Sequence, residues 1–419
     1  MLERYFRPET VDRFLASWLG AAIDKYVEWL GQQGYARSVV LKRVPRLIEF
    51  GDFARARGAT KLEELAAFKD VYVARWVRRH SGRCRDERAL QLVRSEAHAP
   101  VQQLVRLLDS PADRHAHCEP WPFRDWAPGY REHLTRERGL SPQTILSHRH
   151  YLTRFERYLR RQRVPDLARL SAPLLSGFMM EDAKRLSLGS LYGRCSTVRA
   201  FLRYCYRERL CPADLSRVPE SPWSYRLAGL PRSISNSEVA RVLAMVDRRK
   251  PVGKRDYAML LLLVTYGLRA REVAALTFDD LDWAHDRLRV PKRKAGHSTV
   301  FPFSSIVGAA LIDYIRNARP PSSARRVFLG VVAPFRPIEF YTVADRAGRA
   351  LRHAGIGVRR PGSHTFRHTC VQQLVDAEFP FKVIGDYVGH RSPDSTRVYS
   401  KVAIEALRAV AMGDGEEVL

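Results

Sequence analysis

Side chains suited to phosphate chemistry recur in the C-terminal half of the chain. Arg269 lies in the segment T-Y-G-L-R-A-R-E, where Gly267 ends one apolar helical pattern and a second helix begins at once. A side chain at such a junction can be held in one orientation, and Glu272, one helical turn further on, can help to orient it. His364 and Arg367 are three residues apart at the start of another apolar helix, so they share one face of that helix.

A polar loop and a tyrosine complete the candidate set. Lys292 and Lys294 lie in the loop K-R-K-A-G-H between two short β-rich segments, a pattern that predicts a β-hairpin. A lysine on such a loop can reach a ligand at the domain surface. Tyr399 follows His390 by nine residues. Each feature alone is weak, because hairpin lysines are common and Tyr399 also fits an ordinary amphipathic helix.

The spacing of two histidines allows a different chemistry. His364 and His368 form an H-x-x-x-H pair, which in some enzymes binds zinc. The motif H-E-x-x-H is not present, and no third ligand stands out in the sequence. A metalloenzyme is therefore an alternative hypothesis, and sensitivity of the activity to a chelator would support it.

The order and local context of these residues resemble those of tyrosine recombinases, the family of phage integrases, chromosome-dimer resolvases and transposon recombinases. The matching motifs are T-Y-G-L-R-x-x-E, a hairpin lysine before Pro302, H-x-x-R-H, and Gly-His followed nine residues on by tyrosine. Spacing to Pro302 favours Lys294 over Lys292. The resemblance is strong over residues 230–400 and weaker over the region before them. The sequence departs from the family after the Gly-His pair and after Tyr399.

This resemblance implies a role for each residue. Arg269 and Arg367 stabilise negative charge on the scissile phosphate, since guanidinium groups stay charged and bind phosphate bidentately. The remaining implied roles are a further phosphate hydrogen bond from His390, a nucleophile that forms a 3′-phosphotyrosine at Tyr399, a general base at His364 and a general acid at Lys294. The reaction would need no metal and no other cofactor.

The elements that position these residues are predicted to be mainly α-helical. We expect an extra N-terminal helical domain over residues 1–112, a helical core-binding domain over 117–226, and a mixed α+β catalytic domain with a small β-sheet or hairpin over 230–419. The two helical domains share a pattern at an offset of about 105 residues, which suggests tandem copies. Ser235 and Glu238 form a capping-box pattern that predicts the start of the first catalytic-domain helix.

A basic helix and a C-terminal helix suggest contacts with partners. Residues 191–209 carry an apolar stripe and a series of arginines, of which Arg194, Arg199 and Arg203, together with Lys292, are candidate DNA contacts. Residues 402–412 form a short amphipathic pattern. By resemblance to the family, this helix would dock on a neighbouring protomer in a homotetramer on double-stranded DNA.

Composition also favours a polyanionic partner. The 419 residues contain 71 Lys and Arg against 45 Asp and Glu, a net charge of +26 that favours DNA or RNA. Because 60 of the 71 basic residues are arginine, a GC-rich genome explains part of this bias. Six cysteines without a C-x-x-C pair, and an N-terminus without a signal-peptide core, predict a cytoplasmic protein.

The sequence therefore predicts a site-specific recombinase or integrase that acts for a mobile element and can work with sister recombinases. Two alternatives remain open at this point. A type IB topoisomerase shares the catalytic set but relaxes supercoils as a monomer, whereas a DNA-binding regulator on a decayed scaffold would have no activity. The tandem helical domains favour the recombinase over the topoisomerase. All six residues of the catalytic set are present, which argues against a scaffold that has lost its activity: Arg269, Lys294, His364, Arg367, His390 and Tyr399.

Overall fold

The computed structural model describes residues 1–84, 86–108, 121–181, 183–223, 233–291 and 298–389. The chain divides into two compact units, one formed by Met1–Asp109 with Gly229–Leu419 and the other by Ser110–Ala228. Among the helices in the described ranges, none combines the length and the apolar character needed to cross a membrane.

The N-terminal segment is helical and folds around its predicted apolar stripe. Its helices are α1 (Pro8–Leu15), α2 (Gly20–Gln32), α3 (Arg37–Arg55), α4 (Leu65–His80) and α5 (Glu87–Leu108). The stripe residues of α2 are all fully buried, as their spacing predicts: Ile23, Tyr26, Val27 and Leu30.

The second unit is also helical. It contains α6 (Tyr130–Glu132), which continues into a π-helical turn (His133–Glu137), followed by α7 (Pro142–Arg161), α8 (Ala172–Met180) and α9 (Leu188–Arg207). The hydroxyl oxygens of Ser141 and Ser187 accept hydrogen bonds from backbone N–H groups in the first turns of α7 and α9. The apolar stripe predicted on α9 is buried, from Val198 to Cys205.

Arg194 does not fit the expected DNA-contact role. Its side chain is buried, and its guanidinium group donates hydrogen bonds to the carbonyl oxygens of Phe178 (3.3 Å), Met179 (2.5 Å) and Glu181 (2.7 Å). These carbonyls lie at the C-terminal end of α8, where the last turn has no intrahelical donors. In this structure Arg194 therefore binds protein carbonyl groups, whereas Arg203, on the same helix, is exposed.

The C-terminal region combines helices with a small sheet, as the sequence predicted. Its helices are α10 (Asn236–Ala244), α11 (Pro251–Thr265), α12 (Ala270–Ala275), α13 (Ser305–Asn317), α14 (Phe340–His353), α15 (Ser363–Asp376) and α16 (Phe381–Val388). Strands β1 (Leu281–Asp282), β2 (Arg287–Val290) and β3 (Thr299–Pro302) form an antiparallel sheet in the order β1-β2-β3. In the β2–β3 hairpin, Leu288 pairs with Phe301, and both side chains are buried.

Each of the three sequence regions has a hydrophobic core of its own. These cores lie within residues 2–105, 123–211 and 234–366, and a small fourth cluster in the C-terminal region joins Val371 of α15 to Ile384 and Val388 of α16. The predicted capping box is confirmed: the Glu238 N–H donates to Ser235 Oγ at 3.2 Å, and the Ser235 N–H donates to the Glu238 carboxylate at 2.9 Å. The mainly α fold with a small sheet is thus confirmed, while the domain boundaries stay a prediction.

Several predicted functional residues fall outside the described ranges. They are Lys292, Lys294, His390, Tyr399 and the helix predicted over residues 402–412.

Candidate active site

The junction between α11 and α12 positions Arg269. Gly267 adopts a left-handed backbone conformation (φ 57°), and a Cβ atom at this position would lie 3.1 Å from Val388 and 3.2 Å from Cys370. Glycine is therefore favoured both by backbone conformation and by space. Two residues later, Arg269 is the N-cap of α12. From this position its guanidinium group reaches the C-terminal end of α16.

Glu272 orients Arg269, as its spacing predicted. One carboxylate oxygen accepts the Arg269 backbone N–H at 2.8 Å, and the other accepts the guanidinium Nη1 at 2.7 Å. The side chain of Glu272 is 9% exposed and that of Arg269 is 22% exposed. The ion pair is thus shielded on the glutamate side, while the arginine keeps access to solvent.

Arg367 connects two main-chain segments of the site. It lies in the second turn of α15 and is 5% exposed. Its Nη1 donates to the carbonyl oxygen of Gly267 at 2.5 Å, and its Nη2 donates to that of Val388 at 2.6 Å. Arg367 therefore ties the α11–α12 junction to the end of α16.

The C-terminal end of α16 brings the two arginines together. This helix ends at Gly389 in a left-handed conformation (φ 68°), which leaves the last carbonyl groups without helical partners. Arg367 binds the Val388 carbonyl, and Arg269 Nη2 binds the Gly389 carbonyl at 2.6 Å. Guanidinium groups bound to the carbonyls of consecutive residues must be neighbours. These two carbonyl-bearing residues, Val388 and Gly389, directly precede His390 in the sequence.

His364 begins α15, three residues before Arg367. Its side chain reaches solvent. Nevertheless, partial burial of the ring, together with the positive charges of Arg367 and Arg269, lowers the pKa of His364 below the usual histidine value. The neutral ring, which can accept a proton, is therefore favoured at neutral pH. The same positive charges disfavour a metal cation at this ring.

Tyr266 is a further residue of the site whose role no sequence pattern indicates. Its buried hydroxyl donates to the Pro302 carbonyl at 2.9 Å and accepts the Ser304 N–H at 2.8 Å. Burial raises the pKa of Tyr266, so the phenol stays protonated. The residue thus connects the chain just before Gly267 to the end of β3. The motif T-Y-G-L-R marks its position, but no sequence pattern shows its partner.

The described part of the site therefore brings together four of the predicted residues: Arg269, Glu272, His364 and Arg367. Within the described residues, no group of three or more histidine, cysteine, aspartate or glutamate side chains could bind a metal ion. Of the predicted DNA contacts, Arg203 is exposed, while half-buried Arg199 donates to the Pro219 carbonyl at 2.7 Å.

Paired guanidinium groups beside an imidazole of lowered pKa, next to a β-hairpin, form an arrangement that can stabilise negative charge on a phosphate ester. The model of the phage integrase family matches residues 232–405, and that of the phage integrase N-terminal SAM-like domain matches residues 128–209. An integrase/recombinase of Sinorhizobium fredii is 31% identical over 98% of this chain and 95% of its own length. The chain belongs to the phage integrase family of tyrosine recombinases.

Solved structures support the fold. XerH site-specific recombinase, in a post-cleavage complex with a palindromic difH substrate, has a TM-score of 0.53 at 14% identity and covers 84% of this chain and 97% of its own. A lambda integrase tetramer bound to a Holliday junction has a TM-score of 0.50 at 16% identity and covers 74% of this chain and 85% of its own. At such identities the likeness concerns the fold alone.

Proposed function

We propose that the protein is a site-specific DNA recombinase that cuts and rejoins strands through a 3′-phosphotyrosine intermediate. The observation that carries the proposal is the pair of neighbouring guanidinium groups, Arg269 and Arg367, at the end of α16. Within the described residues, the side chain of Arg269 uses two of its five N–H groups, one on Glu272 and one on Gly389. The others can bind the non-bridging oxygens of a scissile phosphate.

The reaction is a transesterification. The Tyr399 hydroxyl attacks the scissile phosphorus, and its proton passes to His364, whose neutral ring is favoured by its lowered pKa. The bond from phosphorus to the 5′ oxygen breaks, and Lys294 supplies the proton to that leaving oxygen. His390 donates a further hydrogen bond to the phosphate. A 5′ hydroxyl from a partner duplex then reverses the step and joins the exchanged strand.

The partners follow from this reaction. Strand exchange needs two duplexes and four cleavages, which a homotetramer on double-stranded DNA supplies, as in the lambda integrase tetramer on a Holliday junction. Transfer of a mobile element is the setting that the integrase/recombinase relatives favour. Action in the cytoplasm and cooperation with sister recombinases are further parts of this proposal.

A nicked suicide duplex carrying the end of the native element tests the nucleophile. Cleavage close to the nick releases a short oligonucleotide, so the covalent protein–DNA adduct accumulates and is visible on a denaturing gel. We expect the wild-type chain to form the adduct and Tyr399→Phe to form none.

The matched control is Tyr341→Phe. Tyr341 is a 64% exposed tyrosine of α14 in the same region, and its substitution should leave adduct formation unchanged. An adduct that persists in Tyr399→Phe would show that another residue attacks the phosphate.

A further inference from the structure

Tyr387 of α16 forms contacts that the proposed reaction does not use. The residue is half-buried and directly precedes Val388 and Gly389. Its hydroxyl donates a hydrogen bond to the carbonyl oxygen of Thr265 at 3.1 Å. Thr265 is the last residue of α11, where carbonyl groups have no donor within the helix. Tyr387 therefore connects the C-terminal end of α16 to the C-terminal end of α11.

The ring of Tyr387 connects α16 to the sheet. It meets the ring of Phe301 edge to face, with centroids 5.0 Å apart and an angle of 75° between the planes. Phe301 is a buried residue of β3, and its ring centroid also lies 5.1 Å from that of Tyr266. Tyr387 packs both against the main core of the C-terminal region and against the small cluster that α16 shares with α15. One side chain thus contacts β3 and the end of α11.

Helix α16 depends on such contacts for its position. It has eight residues, too few for a helix that is stable without tertiary contacts. Ile384 and Val388 are fully buried, whereas Phe381 and Val383 are 40% and 49% exposed, so the helix packs along one face only. The Tyr387 hydroxyl adds a directional contact close to the C-terminal end of this helix.

The end of α16 in turn orients the two arginines of the site. The Val388 carbonyl accepts Nη2 of Arg367 and the Gly389 carbonyl accepts Nη2 of Arg269, both at 2.6 Å. A displacement of these carbonyls would move the guanidinium groups or break their hydrogen bonds. Because a misplacement of about 1 Å at a reacting centre can cost about 100-fold in rate, a small movement of this helix end matters for cleavage.

We propose that Tyr387 is a positioning residue for DNA cleavage, whose hydroxyl fixes the C-terminal end of α16 and thereby the guanidinium groups of Arg269 and Arg367. The proposal rests on the recombinase function proposed above. Tyr387 acts through the two arginines and does not touch the scissile phosphate. Loss of its hydroxyl should therefore weaken the stabilisation of negative charge in the transition state and leave DNA binding almost unchanged.

The test compares the full-length variant Tyr387→Phe with the wild-type chain. The substitution keeps the ring and removes the hydroxyl that binds Thr265. Two nicked suicide duplexes are used, one with a normal scissile phosphate and one with a methylphosphonate at that position. The methylphosphonate carries no negative charge, so its cleavage depends less on the guanidinium groups. The control is Tyr72→Phe, since the buried Tyr72 of α4 likewise donates to a backbone carbonyl, that of Arg46 at 3.2 Å.

For Tyr387→Phe, we expect the single-turnover rate of oligonucleotide release to fall about tenfold on the normal phosphate, because the guanidinium groups are displaced. Affinity for the duplex, and the rate on the methylphosphonate, should each stay within about twofold of wild type. Tyr72→Phe should match the wild type on both duplexes. A role in stability alone would lower the two rates equally, since it would reduce the amount of folded protein.

Hydrogen exchange gives a second readout that needs no cleavage. The amides of residues 381–389 should exchange faster in Tyr387→Phe than in the wild type and in Tyr72→Phe, because the end of α16 has lost a contact. Unchanged exchange, or an equal loss of rate on the two duplexes, would overturn the proposal. If the wild-type chain cleaves neither duplex, the recombinase function fails, whereas faster exchange confined to α16 would still support Tyr387 as the residue that positions the arginines.

Discussion

The two arginines of the site differ in burial and in the groups of the protein that they bind. Arg367 is buried and binds the Gly267 and Val388 carbonyls, so it supports the fold in addition to its proposed role at the phosphate. Arg269 is partly exposed and is oriented by Glu272. Substitutions at the two positions should therefore affect stability differently, although both should slow cleavage.

We predict that Arg269→Lys lowers the single-turnover rate of adduct formation by about 100-fold with little change in thermal stability, because lysine cannot bind phosphate bidentately. Arg367→Lys should lower both the rate and the melting temperature. Rates come from quenched suicide-substrate reactions and stability from calorimetry. Arg271→Lys is the control, since Arg271 stacks on Phe340 at 4.4 Å and contacts none of these carbonyls. Unchanged rates in Arg269→Lys would contradict the assigned role.

The pH dependence of cleavage should report His364. A general base acts only when deprotonated, so the rate should rise with pH through the pKa of His364 and then level off. Because that pKa is lowered, the midpoint of the rise should lie below about 6.5, and the rate at pH 7 should lie on the plateau. His364→Gln should remove the rise and lower the plateau. A midpoint above 6.5 that survives this substitution would assign the base to another group.

Among the elements, the β2–β3 hairpin and the α11–α12 junction are coupled through Tyr266. The same segment carries Gly267, whose carbonyl binds Arg367. Because the loop of this hairpin contains Lys294, Tyr266 connects the strand that follows the lysine to the turn that positions Arg269.

We predict that Tyr266→Phe lowers the free energy of unfolding by about 1 kcal/mol and slows adduct formation several-fold. The control is Tyr314→Phe. Tyr314 is another fully buried tyrosine of this region, whose hydroxyl accepts the Leu329 N–H at 3.1 Å. It should show a similar decrease in stability at an unchanged cleavage rate. Equal cleavage rates in the two variants would contradict the proposed coupling.

Much of this element-scale organisation could be predicted from local sequence patterns. The capping box of α10, the β2–β3 hairpin and the pairing of Arg269 with Glu272 depend on residues close in the chain, and the structure contains them. The binding of Arg269 to the Gly389 carbonyl spans 120 residues, and no local pattern contains it.

Arg194 is a residue whose helical position and whose charge favour different environments. It stands one turn before Val198, in line with the buried stripe of α9, so helical spacing already placed it on the core side. The positive charge of its side chain, in contrast, favours an exposed position. The end of α8, whose carbonyls accept its hydrogen bonds, is a tertiary neighbour that the sequence of α9 alone does not reveal.

At the scale of the whole molecule, the three sequence regions have separate hydrophobic cores within the described residues, and the chain divides into two compact units. Cores without shared residues need not unfold together. We predict that calorimetry resolves more than one unfolding transition.

Arg194→Met should shift only one of those transitions. The substitution leaves carbonyl groups at the end of α8 without donors, at a cost of about 2 kcal/mol or more to the second unit. The companion variant Arg203→Gln, on the exposed face of the same helix, should leave all transitions unchanged and weaken DNA binding. A uniform downward shift of every transition in Arg194→Met would contradict independent cores.

The most direct test of the proposed reaction is chemical identification of the residue joined to DNA. The adduct from a suicide duplex is digested with nuclease and with trypsin, which cuts after Arg397 and Lys401 and so releases residues 398–401. We predict that mass spectrometry finds this peptide with a nucleotide attached to Tyr399 through its 3′ phosphate, and that the released DNA strand carries a free 5′ hydroxyl. A nucleotide on another residue, or a link through the 5′ phosphate, would contradict the proposed reaction.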